Sequence, residues 1–356
     1  MLSSKNYIKA VNDYLTDFIE EKITVARQIS NEAAELCQHI YEVAKGGKRT
    51  RAQLNYLGYL VANGKNEDLS IKIGTAIELF QTSALIHDDI IDSSDTRRGI
   101  DTIHYSYSNN HQAQGYSGNN KDYGMAAGII AGDICMQWSE EIFSQAIVKS
   151  PQNIAARKNF ETMRLEVMAG QFMDIHEEVD FNTNHELTPH ERAFRVLTYK
   201  SAKYSVEHPL TIGATLGGAD TELLSKLSAF GLPTGQAFQL RDDVLGVFGD
   251  PTITGKPAGD DLKEGKRTTL IAYAIENSDV DTTNYLNAKL GSTELTKAEV
   301  AMLQEIIKAS GALAKTEEMI TNLTDTAIKE LAALKINAEL KAELEKLAHT
   351  LTQRNA

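Results

Sequence analysis

The sequence predicts an all-α protein, read as a single-domain helical bundle over residues 1–356. Three observations carry that prediction. Proline is scarce, six in all, and every one but Pro151 lies between Pro189 and Pro257. Long stretches are built from Ala, Leu, Glu, Lys and Gln, which enter helices at little cost. Strict apolar–polar alternation over strand lengths is nearly absent.

The first stretch, Met1 to Phe18, sets Lys5, Lys9, Asp13 and Asp17 among apolar residues, so it lacks the unbroken apolar run of a secretory leader. Leu69, Ile73, Ile77, Phe80, Ala84 and Ile91 then recur at helical steps, with a jump near Asp88-Asp89. Asn109 to Gly124, rich in Asn, Gly, Gln and Ser, reads as a loop. The most apolar run, Met125 to Met136, is short and broken by Asp133, too little to cross a membrane. Asp250 to Thr268 carries Pro251, Gly255, Pro257, Gly259 and Gly265 and reads as a second loop. A third, Gly291 to Glu299, ends in a capping box from Thr296 to Glu299. Leu323 to Leu351 repeats Leu, Ala and Ile at helical spacing with Glu and Lys between. None of the loops resembles a free linker, so one domain is expected.

Composition narrows the function. With 36 Lys and Arg against 49 Asp and Glu, the chain carries a formal charge of −13. That argues against nucleic-acid wrapping, which needs excess cation, but leaves room for a phosphorylated small substrate held locally. Two cysteines, Cys37 and Cys135, make no disulfide framework and fit a reducing, cytoplasmic compartment.

Two acidic pairs stand out. His87-Asp88-Asp89-Ile90-Ile91-Asp92 closes an apolar helix pattern, and Asp88 and Asp92 fall one turn apart on one face. Like charges so placed weaken a bare helix unless a cation sits between them. Carboxylate oxygens alone select a hard ion, chiefly Mg²⁺. Asp242-Asp243 follows Phe238-Gln239-Leu240-Arg241 in a second helix-like stretch, and two such helices facing each other across a bundle make a metal site. Basic groups suited to phosphate oxygens are Gly46-Gly47-Lys48-Arg49-Thr50-Arg51, Arg97-Arg98, Lys200, Lys256 and Lys266. Neither Gly47-Lys48 nor Gly265-Lys266 completes a P-loop, because arginine follows each lysine and the early glycine is missing. No dinucleotide-binding glycine pattern is present either.

The ordered set GGKRTR, DDIIDSSDTRRG, GQFMD, KSA, FQLRDD and GKPAGDDLKEGKRT resembles the trans-isoprenyl diphosphate synthases, the polyprenyl synthetase family, of geranylgeranyl or medium-chain type. The motifs run from about residue 46 to 268. The resemblance implies an isoprenoid synthase fold around a deep central cavity, and a homodimer. It implies a prenyltransferase that joins isopentenyl diphosphate to an allylic diphosphate (dimethylallyl, geranyl or farnesyl) to make an all-trans product. It further implies Mg²⁺, three ions with substrate bound and Mn²⁺ able to replace them, held by Asp88, Asp92 and Asp242. Arg97, Lys200, Ser201, Gln239, Lys256 and Lys266 would serve the allylic diphosphate. Lys48, Arg51, Gln81 and Arg98 would serve isopentenyl diphosphate. Gln171 and Asp174 would orient the site, Asp174 through Lys200.

Three positions depart from the family pattern. The second acidic motif ends in Gly246 where an aspartate is usual, position 81 is Gln where His is common, and the KTA motif reads Lys200-Ser201-Ala202. Product length is expected to depend on the helix before Asp88. Ser83 and Ala84 lie about 6–7.5 Å from Asp88 along the axis, where a bulky aromatic stops growth in farnesyl-producing relatives. Both are small, so a C20 or longer product is expected, C15 being the alternative. Phe80 and Ile77, about 12 and 16 Å back, are candidates for a deeper floor. The rival readings are a His-Asp phosphohydrolase built on His87-Asp88, a class I terpene cyclase, and a non-catalytic partner subunit of a two-chain prenyl synthase.

Overall fold

A computed structural model describes residues 2–180, 186–250, 259–292 and 294–353. Helix dominates as expected. Among the described residues the strands are β1 (Thr96–Arg97) and β2 (Ile100–Asp101), one short antiparallel pair.

The chain divides into two compact units, Met1–Arg157 with Gly213–Gly218, and Lys158–Ile212 with Ala219–Ala356. The first holds α1 (Ser4–Ile29), α2 (Asn31–Ala44), α3 (Thr50–Val61), α4 (Glu67–Ile91), the β1–β2 hairpin, α5 (Ile103–Ala113) and α6 (Asn120–Ile147). The second holds most of α7 (Asn153–Val179), α8 (Pro189–Leu197), a π-helical stretch at Thr198–Glu207, the start of α9 (His208–Leu216) and α10 (Thr221–Phe248). It continues with α11 (Asp260–Glu264), α12 (Thr269–Glu276), α13 (Val280–Lys289), α14 (Lys297–Ala309), α15 (Ala312–Ala333) and α16 (Ala338–Thr352).

Local chemistry starts these helices where the sequence directs. Asn66 accepts a hydrogen bond from the Leu69 amide to open α4, and Asp220 accepts from Leu223 to open α10. Pro189 occupies the first turn of α8, inside a reciprocal Thr188–Glu191 box. The box expected at Thr296 and Glu299 forms and opens α14.

One loop expectation needs correction. Asn109–Gly124 is not one loop. α5 runs on to Ala113, where buried Tyr107 and His111 anchor it, and α6 starts at Asn120 with the Asn119 side chain accepting from Lys121. Only residues 114–119 lie between the helices, so buried side chains override the polar composition. The Leu323–Leu351 pattern is two helices, because Leu334 is extended and Asn337 caps a new start.

Inside the first unit, α4 packs on α6 through a row of small residues on α6. A Cβ at Gly132 would stand 2.7 Å from His87 Cε1, and one at Gly128 would stand 2.7 Å from Ile90 Cδ1. Ser139 Oγ donates to the Ala76 carbonyl at 2.6 Å. These contacts let α4 approach closely and fix where its C-terminal end lies.

In the second unit, Leu240, Val244 and Val247 of α10 join Leu262, Leu270, Leu303 and Ile320 in one core. Arg241 makes two hydrogen bonds to Glu317, at 2.5 and 2.7 Å, and a third to the Thr352 carbonyl. The arginine inside the FQLRDD motif is therefore tied to α15 and the end of α16.

Candidate active site

The end of α4 gathers three aspartates in its last turn. Carboxylates there oppose the helix dipole, so their placement is costly without a cation nearby. Asp92 is the C-cap, its amide bonded to the Asp88 carbonyl at 2.8 Å. Asp88 is half-buried and Asp89 buried. The chain then turns into the β1–β2 hairpin through Arg98 (φ 54°) and Gly99 (φ 78°), two successive left-handed residues. Thr102 Oγ1 donates to Ser94 O at 2.8 Å and closes the base of the hairpin.

That hairpin sends its two arginines to different places. Arg97 returns to α4, where its Nε donates to Asp89 and its Nη2 lies 3.5 Å from Asp88 Oδ2. Burial pushes the Asp89 carboxyl up to about 6, while Arg97 pulls it back down. Arg98 lies against the Gly46-Gly47 turn, with Nη1 3.1 Å from where a Gly46 Cβ would be. Gly47 has φ 116°, which a side chain would strain.

The GGKRTR turn itself hangs on Arg49. That side chain is buried and donates to Asn12 Oδ1 (2.7 Å), Gly46 O (3.2 Å) and Ala44 O (2.7 Å), with Glu78 at 3.7 Å. Glu78, buried on α4, also accepts from the Ala52 amide at 3.0 Å. Lys48 is left exposed and Arg51 half-buried on α3. Partial burial of its head group, with Arg97, Arg49 and Arg51 close by and Glu78 opposing, holds Arg98 below its ordinary range. Such crowded guanidiniums favour an anion. Gln81 Oε1 is buried and has no hydrogen-bond partner. An amide so placed has capacity for a ligand.

The second unit builds a separate cluster around the π-helical stretch. A Cβ at Gly170 of α7 would stand 2.6 Å from Lys200 Cα, and one at Gly235 of α10 would stand 3.0 Å from Ala202 Cα. Two glycines therefore clasp the Lys200-Ser201-Ala202 backbone, which explains the glycine of the GQFMD motif. π-Helical turns often mark functional sites. The expected pairing is present: Lys200 Nζ donates to Asp174 Oδ2.

On α10, Gln239 Nε2 donates to Asp243 Oδ1 at 2.9 Å. Asp242 is exposed and Asp243 buried. Burial pushes the Asp243 carboxyl up to about 8, Gln239 opposes this, and Asp261, Asp242 and Asp174 push it further. Lys266 pairs with Glu264. Lys256 lies outside the described residues.

The structure thus brings Asp88, Asp92, Arg97, Arg98, Lys48, Arg51 and Gln81 into the first unit. Lys200, Ser201, Gln239, Asp242 and Lys266 fall in the second. Ser83, Phe80 and Ile77 are buried on α4 and Ala84 is half-buried; the Ser83 hydroxyl has no hydrogen-bond partner. Sequence reasoning gave no role of their own to Asp89, Glu78, Asp243 and Asp261, and it placed Arg49 among the groups suited to phosphate, whereas its side chain is buried against Asn12, Gly46 and Ala44. Glu78 had a signal, a lone acid inside an apolar helix. Asp89 and Asp243 had one too, each beside an acid already singled out.

His87 is committed to packing. Its Nε2 lies 3.2 Å from Ile129 O and 3.6 Å from Asp133 Oδ1, on the face toward α6. The donor set is all oxygen, which fits a hard cation. Among the described residues no three His, Cys, Asp or Glu side chains converge on an ion by themselves. Mg²⁺ takes one or two carboxylates and fills its shell with water and phosphate. No helix among the described residues is long and apolar enough to cross a membrane.

Comparison with known proteins gives the family. The family model described as polyprenyl synthetase matches residues 32–308. A crystal structure of geranylgeranyl pyrophosphate synthase from Corynebacterium glutamicum, complexed with isoprenyl diphosphate and magnesium, is 35% identical with a TM-score of 0.93. The match covers 99% of this chain and 100% of that one. The geranylfarnesyl diphosphate synthase of Aeropyrum pernix is 28% identical over 97% of this chain and 99% of its own length. The short chain isoprenyl diphosphate synthase of Methanocaldococcus jannaschii is 28% identical over 88% and 86%. With its helical isoprenoid synthase fold and a family match over most of its length, the chain belongs to the polyprenyl synthetase family and is a prenyltransferase.

Proposed function

We propose that the protein condenses isopentenyl diphosphate with an allylic diphosphate to make an all-trans prenyl diphosphate of C20 or longer. The observation that carries the reading is the same arrangement in each unit, carboxylates on a long helix beside Arg or Lys on a neighbouring turn. The relatives named for geranylgeranyl and geranylfarnesyl products support the length. They do not favour a cyclase or a silent partner subunit.

Asp88, Asp92 and Asp242 would hold Mg²⁺, three ions with substrate bound. Bound Mg²⁺ supplies Lewis-acid charge to a departing diphosphate. Lys200, Gln239, Arg97, Lys266 and Lys256 would bind the allylic diphosphate and stabilise charge growing on it as the C–O bond breaks. Asp174 would hold the Lys200 ammonium in place. Lys48, Arg51, Arg98 and Gln81 would bind isopentenyl diphosphate, with Arg49 fixing the turn beneath them. Ser201 and Gln239 would turn dipoles toward the allylic cation without offering a strong nucleophile. The cation must be kept from water, and the apolar length of α4 behind Asp88 suits that. The released pyrophosphate would accept the final proton.

We read the enzyme as a cytoplasmic homodimer working as a single catalytic domain. Buried, unbridged Cys37 and Cys135 agree with a reducing compartment. Met125, Ile129 and Ile130 on α6, and Leu165, Met168 and Phe172 on α7, are exposed apolar residues that a second copy would cover. A monomer mass by light scattering would refute the dimer.

The deciding experiment incubates the purified chain alone with Mg²⁺, isopentenyl diphosphate and each allylic primer, then measures product length. A C20 or longer product is expected. No product from any primer would overturn the function. Ser83→Phe should shorten the product, and an unchanged distribution would show that this turn does not set length.

A further inference from the structure

The π-helical stretch at Thr198–Glu207 bonds its backbone in steps of five residues. At its end the His208 amide donates to the Lys203 carbonyl. Around an α-helix, residues five apart stand about 140° apart and face different ways. In the π turn the same step closes about one full turn, so Lys203 and His208 project on one side.

One carboxylate takes both. Glu166 of α7 accepts from Lys203 Nζ at 2.8 Å through Oε1, and its Oε2 lies 2.6 Å from His208 Nε2. His208 is buried, and Lys203 and Glu166 are half-buried. Burial would raise the Glu166 carboxyl, yet its hydrogen bonds with Lys203 and His208 hold it below its usual range. The start of α9 beyond them is anchored by fully buried Leu210 and Ile212.

Glu166 belongs to a row. Glu166, Gly170 and Asp174 follow at four-residue steps along one side of α7. All three meet the π-helical stretch. Asp174 receives the Lys200 ammonium, Gly170 lets the Lys200 backbone approach, and Glu166 grips Lys203 and His208. Of the three, Glu166 alone bridges two residues joined by a π-type bond. Were that last turn to tighten into α, the residues before it would rotate by one step, about 100°, against α9. Lys200 would then turn away from Asp174.

We propose that Glu166 is a positioning residue for the reaction: by bridging Lys203 and His208 it locks the π register that delivers the Lys200 ammonium to the allylic diphosphate. The proposal rests on the prenyltransferase reading above, in which Lys200 binds that diphosphate. Glu166 acts through Lys200, and a charge misplaced by about 1 Å can cost about 10²-fold in rate.

The test is steady-state kinetics with Mg²⁺ on wild type, Glu166→Ala, Lys200→Ala and the double variant. Glu166→Ala should lower kcat about tenfold or more and leave KM for isopentenyl diphosphate within about twofold of wild type. The double variant should be no more than about twofold slower than Lys200→Ala, because without the ammonium the register has nothing to deliver. A merely structural Glu166 would lose activity by the same factor in both backgrounds. Wild-type kcat in Glu166→Ala, or losses that multiply in the double variant, would overturn the proposal. If circular dichroism shows that Glu166→Ala does not fold, Lys203→Met takes its place in the same cycle with the same outcomes. Product formation by wild type separates the two readings: an active enzyme with multiplying losses removes only this proposal, and an inactive wild type removes the function.

Discussion

The acidic clusters of α4 and α10 look alike in sequence and differ in how their charge is answered. On α4, the buried acid Asp89 has an arginine within hydrogen-bonding reach, and its carboxyl is pushed up only to about 6. On α10, the buried acid Asp243 has an amide partner and three carboxylate neighbours, and it is pushed up to about 8. The first cluster carries its own counter-ion, placed by a two-residue turn. The second buried acid is answered by the Gln239 amide. A buried acid paired with a guanidinium thus stays lower than one paired with a neutral amide among other acids.

The most severe break of this comparison removes a carboxylate outright. Asp88→Ala and Asp242→Ala should each lower turnover by about 10²–10³, roughly 3–4 kcal/mol in the barrier. Mn²⁺ affinity should fall in both variants. Product formation at saturating Mg²⁺ and Mn²⁺ titration check both statements. Near-normal turnover by Asp88→Ala would sink the site.

The two sets of basic residues should also separate the two substrates. Lys48→Ala and Arg51→Ala should raise KM for isopentenyl diphosphate with little change in kcat. Lys200→Ala should lower kcat and impair the allylic substrate, because charge grows on that diphosphate in the transition state. Matching kinetic profiles for the two sets would merge what we have separated.

A smaller effect sharpens the packing side of the comparison. Gly170→Ala forces a Cβ against the Lys200 backbone, which has no room to give, and should cost about 3 kcal/mol. Gly132→Ala meets the His87 ring, a side chain that can rotate, and should cost about 1 kcal/mol. Urea denaturation measures both, and a reversed order would mean that α4 is the more rigidly held.

The mildest test uses an acid remote from either cluster. Glu299 is held down to about 2 by Lys289, then by the Thr296 amide and hydroxyl, against 4.5 when free. Its folded value is depressed, so its contribution is complete above pH 4.5 and is lost as pH falls toward 2. Melting curves of wild type and Glu299→Gln should therefore converge as pH falls through that window. A constant gap would show that Glu299 acts through its cap hydrogen bonds alone.

Helical class, the Thr296–Glu299 capping box and both acidic motifs were legible in the sequence because each depends on residues within one or two turns of each other. Apolar spacing marks a helix face whatever lies opposite, and Thr296 with Glu299 needs only its own backbone. Family motifs also name Lys200, Asp174 and Gly170 together. The sequence could not say that Gly170 exists to let Lys200 approach, because that contact joins α7 to the π-helical stretch. It read Asn109–Gly124 as a loop because polar composition hides the burial of Tyr107 and His111. Which arginine of Arg97-Arg98 returns to the aspartates was decided by the left-handed turn at Arg98-Gly99. Which residue fills the space at Gly246 was decided by Leu262, whose burial fixes the helix that carries Asp261. Local propensity writes the elements, whereas charge compensation at a site depends on groups brought close only by packing.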